Sequence, residues 1–482
     1  MLNWLVRKTG KSKSNQPDRE ACGSRCQPML AGVAVCLVLF LATRAPSQEL
    51  PPDGFPPTST PVFEQVPVQQ PEEPGAASFE PFELSAPSGL TTADTVAPGS
   101  DDLASIAKRL TVTTADEQFK IVIFGAVVAE SIFSTQRITS PGSYLFVNPF
   151  LGRDSPGVEV QGRGTNLGAQ LIGPEIAGMQ SGGQLLIYLY GQSPFANLYG
   201  AFFAFAYADL KNEDWRFAFG LNQDVFNPLN PTTLNFGYGL DAGNTGFIRG
   251  SFRIERYLHA SDDFQITLQS AISQPVVSEF ATPFPGSDLT LGETNGWPNI
   301  EGRVALGFGP LEQRYGAPVP SRSVELGVSA LIGQVRTSST VQRVLATTAG
   351  LGVDLTANIT DRFGIKAEVY QGQAMGSYFG GSGQSVNIDT FEAIPSLGGW
   401  ADAWFYITPQ LHTHWGGGID DPRDVGNNQR TQNQFAFGNL IWDVTKNLQL
   451  GGEVSRYDTR WNLPNIPSTD AWIFHTRVAL KF

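Results

Sequence analysis

Past Cys36 the sequence contains no cysteine; all three, Cys22, Cys26 and Cys36, fall in its first 47 residues. A chain cut after that point holds neither a disulfide nor a thiolate-bound metal or haem. Long apolar runs are missing as well. Beyond residue 42 no stretch of about 18–20 apolar residues offers a spanning helix. Charged residues are sparse at 16%, and no Lys or Arg lies between Arg44 and Lys108. These absences exclude a helical membrane protein. What is present instead is glycine, 52 residues of it, and an 11% share of aromatics under a slightly negative mean hydropathy. Such a balance suits apolar residues spread thinly and periodically.

The N-terminus reads as an export signal. Arg7, Lys8, Lys11, Lys13 and Arg25 precede the apolar run Leu30–Ala42, and Ala45-Pro46-Ser47 supplies a cleavage site. A retained signal anchor is the other reading, and the polar, Pro-rich stretch that follows at once favours cleavage. Residues 1–47 are therefore expected to be a signal peptide. They take seven of the 32 basic and two of the 45 acidic residues, which leaves 25 against 43, a net of about −18. So acidic a chain excludes nucleic acid as a partner. Residues 48–116 form an acidic linker: 48–100 alone hold 11 of the 33 prolines, too little apolar surface to fold. Within it, Asp101–Leu110 fits a short helix.

From about residue 117 to 482 the pattern changes. Sixteen segments of about ten residues alternate in polarity between turn residues, from FKIVIFGAVV at Phe119 to the terminal WIFHTRVALKF. Short and long links alternate between them. LKNED, LHASD, ANITD, TPQ and DVTKN are tight, whereas NQDVFNPLNPTTLNFGYGLDAGNT and AMGSYFGGSGQSVNIDTFEAIPSL are long. GPLEQRYGAPVPS, after the eighth segment, is too long for the pattern. Sorting by parity is what an outer-membrane barrel requires, with short turns on the periplasmic side and longer loops outside. The expected fold is all-β: a transmembrane antiparallel β-barrel of about 16 strands.

In a hydrocarbon layer every backbone N–H and C=O must be paired internally, so spanning strands close into a ring. The last strand must then meet the first. Trp472, Phe474, Val478, Leu480 and Phe482 would face lipid, and His475, Arg477 and Lys481 the lumen. A strand ending in Phe482, with Trp472 and Phe474 on the same face, has the form of an assembly signal for the barrel-insertion machinery. Sixteen strands leave a bore too wide for side chains to fill. Alternation assigns Arg249, Arg253, Glu255, Gln265, Gln269, Lys366 and Glu368 to its wall.

Residues 160–260 resemble the DcaP-like family of outer-membrane porins. The likeness is carried by Asn197-Leu-Tyr-Gly, Ala206-Tyr-Ala-Asp-Leu, Trp215 followed by Gly220-Leu-Asn-Gln-Asp, Asn227-Pro-Leu-Asn-Pro, and Gly243-Asn with Arg249 and Arg253 after it. The resemblance implies a homotrimer of 16-stranded channels, some of which pass small organic anions. It also implies that the loop after the fifth strand, Asn222–Thr245, folds inward as a constriction. The loop's richness in Asn, Pro and aromatics points the same way. Arg216, Arg249 and Arg253 would then attract anions, with Asp224 and Asp241 opposing them across the opening. The competing reading is that these arginines only pair with Glu255 and Asp214 along the wall.

Nothing marks a catalytic site. There is no Gly-x-Ser-x-Gly, Gly162-Arg-Gly-Thr-Asn-Leu-Gly has the wrong spacing for a dinucleotide loop, and Ser455 with His475 is a coincidence of neighbouring strands. His412-x-His414 puts two imidazoles on one strand face, but the sequence shows no carboxylate beside them, so no metal or other cofactor is assigned. The expectation is an outer-membrane channel for small hydrophilic solutes with a preference for anions, seated in outer-membrane lipid with its linker in the periplasm. The alternative is a structural or adhesive barrel whose linker tethers a periplasmic or cell-wall partner.

Overall fold

The computed structural model describes residues 110–113, 118–139, 144–149, 155–189, 200–246, 248–275, 296–336, 345–466 and 468–482. The expected signal peptide and nearly all of the expected linker and its helix lie outside the described residues. The strands are β1 (Leu110–Thr113), β2 (Lys120–Ser134), β3 (Gly157–Gln161), β4 (Asn166–Ile176), β5 (Met179–Tyr188) and β6 (Phe202–Lys211). They continue with β7 (Trp215–Gln223), β8 (Ile248–Ser261), β9 (Phe264–Ser273), β10 (Asn299–Phe308), β11 (Val324–Arg336) and β12 (Leu345–Asn358). The last six are β13 (Phe363–Gln373), β14 (Pro395–Tyr406), β15 (Leu411–Pro422), β16 (Arg430–Asp443), β17 (Leu448–Trp461) and β18 (Ser468–Lys481).

From β4 onward every strand pairs antiparallel with the next, and β18 pairs with β2 from Ile473↔Ser134 to Lys481↔Ala126. The sheet is a closed ring. β3 and β4 share one place in the wall, because β3 pairs with Glu130–Ser134 and β4 with Lys120–Ala126 of the same strand. β1 is a short addition beside the start of β2. The eighteen strands thus fill the sixteen wall positions that the alternation predicted. Leu110–Thr113, placed at the end of the linker by the sequence reading, is in fact this added strand; its β-branched Thr-Val-Thr favours the extended form.

The terminal strand closes as expected. Trp472, Phe474, Val478, Leu480 and Phe482 are exposed on the outer face, while His475, Ala479 and Lys481 are buried inside. Phe482 exchanges two main-chain bonds with Gly125, of 2.9 and 3.1 Å. Only glycine fits there, since a Cβ on Gly125 would sit 2.6 Å from the Asn166 carbonyl and 2.8 Å from the Phe482 ring. Exposed aromatics ring the short-turn end: Trp215, Phe308, Phe405, Trp442 and Phe482. Interfacial aromatic girdles of this kind flank the apolar band of membrane barrels. The over-long link after β10 has a local cause. It folds into a small hairpin (Glu312↔Ser321) that packs against the barrel end, with Tyr315 under the Arg362 guanidinium at 4.1 Å.

The interior has two unlike sides. One is apolar and aromatic: Phe124 and Val128 of β2, Leu186 and Tyr188 of β5, Phe435 and Phe437 of β16, Tyr457 of β17 and Ile473 of β18 form one buried cluster. The other, across β7 to β13, carries ion pairs. Leu229, Phe236 and Tyr238, from the segment between β7 and β8, belong to the apolar cluster. Each such side chain removed from water contributes about 1.5–3 kcal/mol, which seats that segment against one wall.

Candidate functional site

The segment between β7 and β8 runs through the barrel interior, and all its described residues from 224 to 246 are buried except Asn230 and Thr232. Two prolines, Pro228 and Pro231, keep it from making a ladder of its own. Its remaining N–H groups need acceptors, and the wall provides carboxylates on four different strands. Glu301 of β10 accepts from Val225 and Phe226 (2.7 and 3.2 Å), and Glu368 of β13 from Leu229 (2.6 Å). Asp402 of β14 accepts from Thr232 (3.1 Å), and Glu453 of β17 from Leu234 and the Thr233 hydroxyl, both at 2.7 Å. Arg477 donates to the Leu234 carbonyl at 2.8 Å. Hydrogen bonds to charged groups contribute about 1.5–3 kcal/mol each, so the four carboxylates decide where the segment lies. At its far end Gly243 (φ 111°) presses on the wall; a Cβ there would meet the Ile419 backbone at 2.6 Å.

A second inserted segment, 374–394, meets the first. Arg249 of β8 joins them: it binds Asp224 through two bonds of 2.6 and 2.9 Å, donates to the Ser377 carbonyl at 3.0 Å, and lies 3.9 Å over the Tyr378 ring. Burial pushes the Tyr378 hydroxyl well above its usual range, which keeps it a donor to Glu301 at 2.9 Å. A third segment reaches in at Tyr144, whose carbonyl accepts from Asn235 at 2.9 Å.

The expected charged residues are on the inner face but not arranged as expected. Asp224 does not oppose Arg249 across an opening; it is paired with it directly. Arg253 pairs with Glu255, and Arg216 lies between Asp209 (3.0 Å) and Glu255 (3.5 Å) with its guanidinium 5.4 Å from the Tyr207 ring centre. Asp214, the other expected partner, instead binds Arg256 at the turn (2.7 Å). Asp241 stands apart from these arginines, with Arg430 as its nearest opposing charge. Neither of its carboxylate oxygens has a hydrogen-bond partner among the described residues. Burial pushes the Asp241 carboxyl up to about 6, with Arg430 pulling it back. A folded-state value above the ordinary one of 3.8 means that Asp241 ionisation weakens the junction of the two inserted segments as pH rises through about 6. Alternation fixes which face a residue takes, not which partner it finds there.

Gln265 accepts from Arg322 at 3.0 Å, and Gln269 from Arg303 at 2.8 Å. Lys366 lies 3.7 Å from Asp402. Glu368, expected simply to line the wall, is one of the four anchors and also accepts from the Trp400 indole at 2.7 Å. The sequence reading missed Glu301, Asp402 and Glu453 as anchors, and also Arg303, which binds Asp354 (2.6 Å) and Glu325 (3.1 Å). Part of their signal was present: each is a charged residue at an inward position of an alternating strand.

The fold has a known counterpart. The outer membrane channel DcaP of Acinetobacter baumannii aligns with 77% of this chain and 99% of its own, at a TM-score of 0.58 and 14% identity. An anion-selective porin from Comamonas acidovorans (76% and 100% covered, 12% identity) and OprB of Pseudomonas putida (76% and 95%, 10%) align more loosely, at 0.47 and 0.46. The fold is that of a porin. No family model and no curated protein matches the sequence. The DcaP-like resemblance read from residues 160–260 is therefore matched at the level of the porin fold.

Proposed function

We propose that the protein is an outer-membrane porin, a homotrimer that lets small hydrophilic solutes diffuse through each barrel. The observation that carries the proposal is the closed sixteen-position ring, exposed and apolar outside, charged and amide-lined inside across β7 to β13. The inserted segment 224–246 is the constriction, crossing the bore from Arg249, Glu301 and Glu368 on the charged side to the aromatic side, where Phe236 and Tyr238 are buried. The barrel-insertion machinery would read the Phe482 end. Refolded protein in a planar bilayer is expected to conduct ions in discrete steps; insertion without conduction overturns the reading.

A preference for small anions is the finer part of the proposal. Its support is the grouping of Arg216, Arg249 and Arg253 on β7 and β8. Because each shares a carboxylate, the expected preference is small. Under a tenfold salt gradient the reversal potential should fall well short of the about 59 mV per tenfold step of an ideal univalent pore. Arg253→Ala leaves Glu255 with one base fewer and should move that potential towards cations. An unchanged potential would make these arginines wall scaffolding.

One observation favours a second reading, a plugged structural barrel: three inserted segments pack inside, and Arg249, Asp224, Glu301 and Tyr378 are buried among them. In that case the linker is the working part, about 50 residues that at ~3.1 Å each reach far across a periplasm. Deleting residues 48–100 then abolishes envelope anchoring, whereas a porin keeps its conductance.

A further inference from the structure

His412 and His414 share the inner face of β15, close to its short-turn end. His412 Nδ1 and His414 Nε2 face each other at 2.9 Å, with ring centres 5.1 Å apart and planes at 82°. The two outer nitrogens look towards carboxylates on the flanking strands. His412 Nε2 is 3.8 Å from Asp443 Oδ2 on β16, and His414 Nδ1 is 3.6 Å from Asp402 Oδ1 on β14. Lys481 holds Asp443 at 3.2 Å, Lys366 lies 3.7 Å from Asp402, and the Tyr406 ring centre is 5.0 Å from that of His412.

We propose that His412 and His414 form a binding site for a late first-row divalent cation, with Cu2+ held more tightly than Ni2+ or Zn2+. In the ion-free protein the 2.9 Å separation of the inner nitrogens is a hydrogen bond between the rings, and it keeps two imidazole nitrogens close enough to share one ion at about 2.0 Å after small side-chain rotations. Copper stands highest in the affinity order of these ions for nitrogen donors.

The flanking carboxylates complete the argument. Ligating histidines donate the other ring N–H to a carboxylate, which fixes the tautomer and makes the free nitrogen a better donor to the metal. Without an ion, one ring keeps its proton on the inner nitrogen to make the 2.9 Å bond. With an ion, that proton moves to the outer nitrogen of the same ring, both N–H groups face Asp443 and Asp402, and both inner lone pairs meet the metal. No net proton is released. The strand pairing supplies what the sequence did not show, since Asp402 and Asp443 are 10 and 31 residues from His412 in the chain. Among the described residues no group of three or more His, Cys, Asp or Glu is placed to hold a metal. Water therefore fills the remaining positions, and the ion exchanges with the lumen rather than being a structural part of the fold.

The inference does not depend on conduction, so binding is measured directly. Untagged protein beginning at residue 48, refolded in detergent, is titrated with Cu2+ alone by calorimetry and by electron paramagnetic resonance. One equivalent should bind with a two-nitrogen signature. His412→Asn/His414→Asn should lose that signature, Asp443→Asn should weaken binding about tenfold, and His259→Asn at the exposed rim should change nothing. Absence of a stoichiometric two-nitrogen site in the wild type overturns the proposal, whatever the variants do. Equal binding by the double variant overturns it too. A protein that binds Cu2+ but never conducts would sink the porin reading and leave this site standing.

Discussion

Replacing Arg249 with alanine is expected to cost about 3–5 kcal/mol of stability, because Asp224 is then left charged, buried and unpaired. Both side chains of the pair are fully buried, and the arginine also holds Ser377 and Tyr378 of the second inserted segment. One residue thus ties β8 to the roots of both segments. Thermal melting of refolded protein measures the loss. The double variant Arg249→Ala/Asp224→Ala should recover much of it, since taking away both partners removes the uncompensated charge. A double variant no more stable than the single one would show that Asp224 finds other compensation.

Glu301→Ala should have a comparable effect through a different cause. The carboxylate accepts from two main-chain amides, from the Ser273 hydroxyl at 2.5 Å and from Tyr378. Each buried donor left without an acceptor costs about 1–3 kcal/mol. The start of the inserted segment should therefore come away from β10 while the barrel stays closed. Hydrogen exchange resolves the two: the amides of Val225 and Phe226 should lose protection, and those of β17 and β18 should keep theirs. Unchanged protection at Val225 would mean that the apolar contacts of Leu229, Phe236 and Tyr238 hold the segment without the anchors.

How much of this was legible beforehand depends on the kind of information. The wall was legible because a membrane barrel forces a period of two on every strand. Gln265, Thr267 and Gln269 therefore separate cleanly from Ile266 and Leu268. β16 shows no such separation, because its Phe435 and Phe437 are apolar and yet face inward. They do so because the inserted segment lies in the same buried cluster, with Gly239 packed on the Phe435 ring, and a strand's own alternation carries no trace of what will be pressed against it. Asp224 and Asp241 show the same limit. Both were placed on the correct loop, but one pairs with Arg249 and the other lies towards Arg430, a choice made by the fold of a long irregular segment. The anchors Glu301, Glu368, Asp402 and Glu453 are dispersed over about 150 residues. Only the closed ring brings them around one loop.

Closure is the claim on which the rest stands, and the absence of cysteine after Cys36 gives it a clean test. Ser131 on β2 and Thr476 on β18 are opposed, exposed positions on the outer face. Opposed residues of antiparallel strands have Cα atoms about 4.5–5.5 Å apart, within reach of a disulfide. In protein beginning at residue 48, Ser131→Cys/Thr476→Cys should cross-link on mild oxidation, and digestion should yield one peptide pair joining the first and last strands. If both thiols stay free while a control pair at Val454 and Phe474, opposed on β17 and β18, cross-links under the same conditions, the ring is open and the account fails.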